Sequence, residues 1–499
     1  MLRFDIYIRG TKPIIMLFNS LEFAVFIPVV FLLYWFVFER NIKFQNLLVV
    51  VASYAFYGWW DYRFLALLLF STAVDYSMGR LLENESRPTH RKFWLWSSVA
   101  VNLGFLGYFK YYNFFIESFV DAFTFFGRPI EVRSLNIILP VGISFYTFQT
   151  LSYTIDVYKK RLTPTRDFIA FAAFVSFFPQ LVAGPIERAS QLLPQFYKKR
   201  VFHYDRAVEG MRQILWGLFK KMVVADNSAE LANYIFGNSD SMNGSALLLG
   251  AFFFTIQIYA DFSGYSDIAL GLARLFGFRL SKNFNFPYFA RSLPETWTKW
   301  HISLTTWFRD YLFIPLAFKA KKQPWKLGLL MVFQFVVIGI WHGANWTFVF
   351  WGLLQAGFMM PYTINRKRKP KYSGPVSKGR LFPKPDEALH ILKTFGIVVL
   401  TMVFFRAENI QHGFQYVAGV FSTSLFAVPS LPDLFLLGKA AFFTVLFLTL
   451  EWIARHSEYG IDFYAQRLKP AARYAFYYLL ILFIVLFMGV KQDYLYFQF

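Results

Sequence analysis

The chain contains no cysteine. That excludes an acyl-cysteine intermediate and a thiolate metal site, and it leaves the redox compartment unreadable. Charge is scarce as well. Asp, Glu, Lys and Arg make up 16% of the 499 residues, against about 25% in an ordinary soluble chain. There is no Walker A sequence, no G-x-G-x-x-G, no H-E-x-x-H and no G-x-S-x-G elbow. These absences count against an ATPase, a dinucleotide enzyme, a zincin and a hydrolase with its own serine nucleophile. No loop is long enough for a separate soluble domain, and no internal repeat is found. No cleavable signal peptide is expected, because the first apolar span runs on as a membrane helix.

What fills the space is apolar. Hydrophobic residues make up 56% of the chain and aromatic residues 22%, with 65 Phe, and the mean hydropathy is +0.39. Runs of roughly 17–25 apolar residues recur, the length that crosses a hydrocarbon core of ~30 Å. Spans are predicted at 21–38, 44–60, 63–82, 93–109, 137–157, 168–184, 207–225, 246–272, 327–361, 390–406, 439–455 and 473–490. The fold class is therefore an all-α polytopic membrane protein, one integral-membrane domain over 1–499, with about 11–13 membrane helices, some short or re-entrant. The short alternating segments of a transmembrane β-barrel are missing. Residues 1–15 fit poorly with the apolar run that begins at Met16 and read as an extended start or an extracytoplasmic arm.

The formal charge is +21, yet its distribution argues against nucleic acid. Basic clusters are short and separate the apolar spans: "RPTHRK" at 87–92, "KKRLTPTR" at 159–166, "KAKKQPWK" at 319–326 and "RKRKPK" at 366–371. This is the positive-inside pattern, with Lys and Arg on cytoplasmic loops facing anionic lipid. It places 39–43 and 83–92 inside and 61–63 outside. The aromatic segment 111–126 reads as a helix at the outer interface.

Region 327–361 is too long for one span. As a single helix it would reach about 52 Å, well past the ~30 Å core. Basic clusters flank it on both sides, so it is expected to enter and return, with "HGAN" (342–345) at a turn inside the membrane. Gly343 and Asn345 suit such a break. The alternative is one long tilted or kinked helix, and His342 lies deep in either case.

Two of the seven histidines stand out. His90, His203, His390, His412 and His456 sit in loops or near span ends, where solvated or interfacial roles suffice. His301 lies in "RSLPETWTKWHISLTTWFRDYLFIPL" (291–316). Ser292 and Glu295 form an S-x-x-E capping box with Pro294 in the first turn, so a helix is expected to begin there. Trp297, Trp300, Leu304, Trp307 and Tyr311 then make one apolar face, with His301 about 100° off that seam. An interfacial helix bearing an amphipathic histidine and a functional histidine both fit. His342 is an intramembrane ionisable residue, which by default marks a site, and a neutral imidazole is the form a general base needs. The competing reading is a structural histidine satisfied by one carbonyl at a helix break. Two histidines without a carboxylate partner make a poor metal site.

A third cluster is "QIYADFSGYSDIALGLARLFGF" (257–278). Asp261 and Asp267 punctuate an apolar span around Tyr265. They fit a proton relay or the orientation of a histidine, and they fit still better a structural role in capping a broken helix.

Five ordered motifs carry a resemblance: "VGISFYTFQTLSYTIDVYKKR" (141–161), "FVSFFPQLVAGPIERASQLLPQ" (174–195), the 257–278 segment, "WTKWHISLTTWFRDYLFIPL" (297–316) and "WHGANWTFVFWG" (341–352). From Met16 to the terminal "YLYFQF" the chain resembles a membrane-bound O-acyltransferase of the alginate O-acetylation branch. The resemblance implies about a dozen helices around a tunnel or funnel. It makes His342 the catalytic histidine and His301 the second histidine commonly required. It also implies acetyl-CoA or a derived acyl donor at the cytoplasmic face, with no bound cofactor. The acceptor would be an extracytoplasmic polysaccharide, reached with a periplasmic or extracytoplasmic acetyl-transfer partner protein, and the location the bacterial inner membrane.

The chemistry fits those implications. Transfer to a hydroxyl needs a base and an oxyanion donor. His342 suits the first, and Trp341 or Asn345 the second. A thioester is already activated, so no ATP site is required, and an aromatic lining would exclude water. The alternatives are a teichoic-acid-type D-alanyl transferase of the sister branch, a proton-coupled transporter, and a scaffold for polysaccharide export.

Overall fold

The computed structural model describes residues 16–125, 127, 135, 137–182, 184–320, 323–364, 371–372, 374–431, 433–492 and 494–495. The arm expected at 1–15 and most of the basic cluster at 366–371 lie outside the described residues. Those described are helical or irregular, with no strand among them. Six helices are long and apolar enough to cross a membrane: Ile42–Asn84, Gly244–Leu275, Pro324–His342, Pro385–Arg406, Leu434–Ala454 and Pro470–Phe487. Shorter apolar helices, Leu21–Val37 and Phe168–Leu181, accompany them. The polytopic all-α expectation is met.

Local chemistry sets the helix boundaries. In α1 (Leu21–Leu32) Ser20 accepts the Phe23 N–H at 3.2 Å. The spans expected at 44–60 and 63–82 form one element, α2 (Ile42–Asn84), kinked at Asp61, where the backbone turns extended (φ −160°, ψ 111°). The Asp61 carboxylate caps the second half by accepting the Arg63 N–H at 2.9 Å. Helix α3 (Pro88–Leu106) passes through a π-helical turn, Gly107–Tyr111, into α4 (Tyr112–Phe125), which buries none of its residues, as an interfacial helix should. Buried Asp75 of α2 joins α3 to α5 (Ile143–Tyr158). It accepts from Asn102 Nδ2 at 2.9 Å, Ser98 Oγ at 2.5 Å and Thr154 Oγ1 at 3.3 Å.

The core is organised around α7 (Gly244–Leu275), which packs antiparallel on α6 (Tyr204–Leu218). Glycines make that packing possible. A Cβ on Gly217 would meet the Gly264 carbonyl oxygen at 2.5 Å, and one on Gly271 the Gly210 oxygen at 2.5 Å. The two backbones touch because nothing stands between them. Beyond α6 a π-helical turn, Phe219–Ala225, carries Lys220 and Lys221.

Region 327–361 enters and returns, as expected, as α8 (Pro324–His342) and α9 (Trp346–Ile364). Each arm of 19 residues spans about 28 Å. The turn therefore lies near the far edge of the core rather than midway through it. Gly343 is extended (φ −165°) rather than left-handed. Glycine is required there because a Cβ would strike the Phe348 ring.

Two of the predicted basic clusters, 83–92 and 159–166, lie together, and the segment 39–46 and the basic stretch 197–206 join them. Arg91 donates to the Tyr158 carbonyl at 2.9 Å, Tyr197 to Thr165 Oγ1, and Arg200 to Asn46 Oδ1 at 2.7 Å. These basic turns share one face, whereas the clusters at 319–326 and 366–371 are described only in part.

Candidate active site

The helix expected from 293 onward is broken at the residue that matters. It starts where the capping box placed it, with Ser292 accepting the Glu295 N–H at 3.4 Å. The return half of the box is diverted, because Glu295 Oε2 accepts the Arg291 N–H at 2.8 Å instead. Helix α10 (Leu293–Lys299) then ends at Trp300, and α11 (Ile302–Phe308) begins after His301. His301 itself is left-handed (φ +42°, ψ 54°) and fully buried. A histidine in that region carries strain of about 1–3 kcal/mol, which persists only where surrounding structure over-determines it. His301 is therefore not on the flank of a continuous amphipathic helix.

Asn283 supplies that over-determination, from 18 residues upstream. Its carbonyl accepts the Ile302 N–H at 2.9 Å, and its Oδ1 accepts from Ser303 N at 3.4 Å and Ser303 Oγ at 2.9 Å. The Ser303 hydroxyl is free to donate because its oxygen accepts the Ile186 N–H at 3.0 Å. The same Oδ1 lies 3.0 Å from His301 Nδ1. A backbone N–H fixes that atom as the acceptor, so Nδ1 carries the hydrogen and Nε2 presents the lone pair. Asn283 Nδ2 in turn donates to Ser266 Oγ at 3.3 Å, tying the histidine to the 257–278 segment.

His342 is the last residue of α8 and is 3% exposed. The Trp341 indole contacts both histidines, with ring centroids 5.7 Å from His301 and 4.9 Å from His342. Trp351 at 5.4 Å and Phe405 at 5.1 Å enclose His342 further. The carbonyls at the end of α8 lack helical donors and are satisfied from α3's π-helical extension. Lys110 Nζ donates to Trp341 O at 2.6 Å and His342 O at 3.2 Å, and Tyr111 to Ile340 O at 2.9 Å. A cation at a helix C-terminus is also the favoured charge.

Three cavities are lined by neighbours of the histidines rather than by the histidines themselves. One, against Trp341, is lined by Trp60, Lys110, Pro140 and Phe145. A second is walled by Trp297, Trp300 and Trp351. A third reaches Asn283 past Lys220, Asp267 and Glu451. It shares Lys282, Phe286 and Glu458 with an open cavity of about 410 Å³ rimmed by Lys299, Arg455 and His456.

The remaining sequence-selected residues fall into two groups. Asn345 spends its amide on the turn: Oδ1 accepts the Thr347 N–H at 3.0 Å and Nδ2 donates to the Glu408 carbonyl at 3.0 Å. Asp261 is buried against Lys221 at 2.9 Å, and its other oxygen accepts the Leu495 N–H at 2.9 Å. Tyr265 packs against Tyr494 with the rings tilted by 52°, centroids 4.4 Å apart. These two residues seat the C-terminal segment. Asp267 pairs with Lys220 and accepts from Gln213 at 3.0 Å, in the cavity that reaches Asn283.

Sequence reasoning passed over Asn283, Ser303, Lys110 and the Lys220–Lys221 pair. The two lysines had a signal, since charges inside the span at 207–225 call for partners. Asn283 and Ser303 had none, being ordinary polar residues in a connector and a short helix.

The five sequence motifs converge here. Trp307 Nε1 donates to the Phe148 carbonyl at 2.9 Å, and Phe148 stacks between Trp307 at 4.2 Å and Trp341 at 6.0 Å. Ile186 of the 174–195 motif reaches Ser303, and Phe262 meets His301 edge-on at 4.6 Å.

The model of the membrane-bound O-acyltransferase family matches residues 159–373, which include both histidines. The "Probable alginate O-acetylase AlgI" of Azotobacter vinelandii is 38% identical over 464 residues, 92% of this chain and 88% of that protein. The "Peptidoglycan O-acetyltransferase" of Helicobacter pylori is 33% identical, over 82% of this chain and 80% of its own length. The "Teichoic acid D-alanyltransferase" of Bacillus subtilis is 26% identical, over 56% of this chain and 71% of its own length.

Proposed function

The chain belongs to the membrane-bound O-acyltransferase family and is an O-acyltransferase, and from that premise we propose how it works. The acyl group is acetyl, brought as a thioester, acetyl-CoA or a species derived from it, to the face that carries the basic turns. It is delivered to a hydroxyl on the opposite side of a bacterial inner membrane. The acceptor is an extracytoplasmic polysaccharide, or a partner protein that completes transfer to one. The observation that carries this reading is the buried pair of His301 and His342, both in contact with the Trp341 indole, with separate cavities reaching their neighbours Asn283 and Trp341.

In the proposed reaction His342 takes the proton of the acceptor hydroxyl as its oxygen bonds to the acetyl carbonyl carbon. The carbon–sulfur bond breaks, and the departing thiolate takes that proton from the imidazole, so the thiol leaves and His342 is neutral again. His301 presents Nε2 in a fixed tautomer because Asn283 holds Nδ1. The Trp341 N–H is the oxyanion donor in this scheme, since Asn345 is committed to the turn. The aromatic enclosure keeps water from the thioester.

Sealed vesicles of known sidedness test the reading. Radiolabelled acetyl-CoA supplied at the face bearing the basic turns should acetylate a polysaccharide held at the other face. Labelling only when donor and acceptor share a face would overturn the transmembrane route.

A further inference from the structure

A second open cavity, of about 730 Å³, lies on the face of the basic turns and shares no lining residue with the cavities that lead to Asn283. Six cations line it: Lys198, Lys199, Arg200, Arg206, Arg274 and Arg279. Only two carboxylates oppose them, Glu187 and Glu209, and Glu187 is taken up by Ser281, whose hydroxyl donates to it at 3.0 Å. The ion pairs of this face, Arg166–Glu83 and Arg188–Asp310, leave all six cations out.

Arg200 is the most constrained of them. It is 5% exposed, and its guanidinium finds only neutral partners, Gln45 Oε1 at 3.3 Å and Asn46 Oδ1 at 2.7 Å. The Phe278 ring lies 5.0 Å away. Its Nη1 is buried without a hydrogen-bond partner, and so is Nη1 of Arg274. Arg274 is half-buried, its guanidinium 4.8 Å over the Tyr459 ring. Buried charges are ordinarily paired, so a buried Arg200 without a carboxylate, beside a cavity lined by five further cations, calls for an anion.

The rim says what carries that anion. Val201, Phe202 and Tyr204 are exposed and lie between the basic run 198–200 and Arg206. Phe202 packs edge-on against Trp35 at 5.5 Å and Phe31 at 6.0 Å, joining the cavity mouth to α1 and its extension. Val25, Val29, Leu32 and Phe36 of that segment are exposed and apolar, the surface that faces lipid. Basic residues interleaved with apolar ones at a membrane edge are the pattern that holds anionic headgroups.

We propose that this cavity binds the phosphate headgroup of an anionic phospholipid, with Arg200 as its buried contact, half-buried Arg274 beside it, and Lys198, Lys199, Arg206 and Arg279 as its collar. The site stands apart from the acyl-transfer route and does not depend on the reaction proposed above.

Native mass spectrometry of the full chain in neutral detergent tests it, using phosphatidylglycerol and phosphatidylcholine, with acetyl-CoA and inorganic phosphate as competitors. One phosphatidylglycerol should be retained per chain and phosphatidylcholine should not. The triple variant Lys198→Gln, Lys199→Gln, Arg206→Gln changes only exposed side chains and should weaken retention about fivefold per charge removed. Arg200→Gln should abolish retention in the fraction that folds. Equal retention of both lipids, or unchanged retention by the triple variant, would overturn the proposal. So would displacement of the lipid by acetyl-CoA or inorganic phosphate, which would assign the cavity to a soluble phosphate.

Discussion

Asn283 Oδ1 and His301 Nδ1 lie 3.0 Å apart, and the same asparagine holds the backbone just after the histidine. One residue thus sets the tautomer, the orientation and the left-handed backbone of a buried imidazole.

Asn283→Ala should therefore act on turnover more than on acceptor or donor affinity. Removing the Nδ1 acceptor frees the ring to adopt the other tautomer, and kcat should fall about 100-fold with KM little changed. Kinetics on membranes normalised for inserted protein check this. A KM effect with kcat intact would assign Asn283 to binding instead.

Lys110→Met should loosen the end of α8. The carbonyls of Trp341 and His342 lose their donor, at a cost of about 1–2 kcal/mol in partly buried geometry. Thermal unfolding in detergent should move down, and Lys110→Arg should recover part of the loss.

Asp261→Asn separates a structural role from a proton relay. It leaves Lys221 facing only Asp226, at 2.8 Å, and weakens the seat of the C-terminal segment. Breaking a buried ion pair from one side costs about 3–5 kcal/mol, so folded yield should drop. Asp261→Asn combined with Lys221→Met and Asp226→Asn, which leaves no member of the buried set charged and unpaired, should restore much of that yield together with activity. A fully folded but inactive triple variant would argue for a relay.

Gly217→Ala places a methyl group against the Gly264 carbonyl, with no rotamer to turn to. Overpacking of this kind costs about 1–3 kcal/mol. Size-exclusion profiles of a fluorescent fusion should show reduced monodispersity, while Gly237→Ala, whose Cβ meets nothing, should not.

Stability should also fall as pH rises toward neutrality on account of Glu187. Burial raises its carboxyl from the ordinary value of 4.5 to about 7. Between those values the folded chain binds more protons than the unfolded one, so stability declines with pH across that window and flattens above it. Glu187→Gln removes the ionisation and should make the unfolding midpoint less pH-dependent from about 5 to 7.

Much of this was legible in the sequence because burying polar backbone in lipid leaves few options. The hairpin of α8 and α9 followed from a length no single span accommodates, and the kink at Asp61 from the polar break at 61–63. The break at His301 was not legible. Trp297, Trp300, Leu304, Trp307 and Tyr311 keep helical spacing across it, and what interrupts them is a hydrogen-bond set from distant Asn283. Asn345 looked like chemistry in "WHGANW" and caps a turn. Asp261 and Tyr265 read best as caps of a broken helix, yet they lie within one helix and hold the C-terminal segment, a long-range contact that no local pattern encodes.

The central claim is that His342 removes the acceptor proton while His301, which shares the Trp341 contact, supports it. Single-turnover acetyl transfer in sealed vesicles, with His342→Ala and His301→Ala matched to the native chain for insertion, tests it most directly. The account predicts that His342→Ala lowers the chemical step at least about 100-fold and that His301→Ala falls in the same range. A His342→Ala protein that inserts normally and transfers acetyl at the native rate would contradict it.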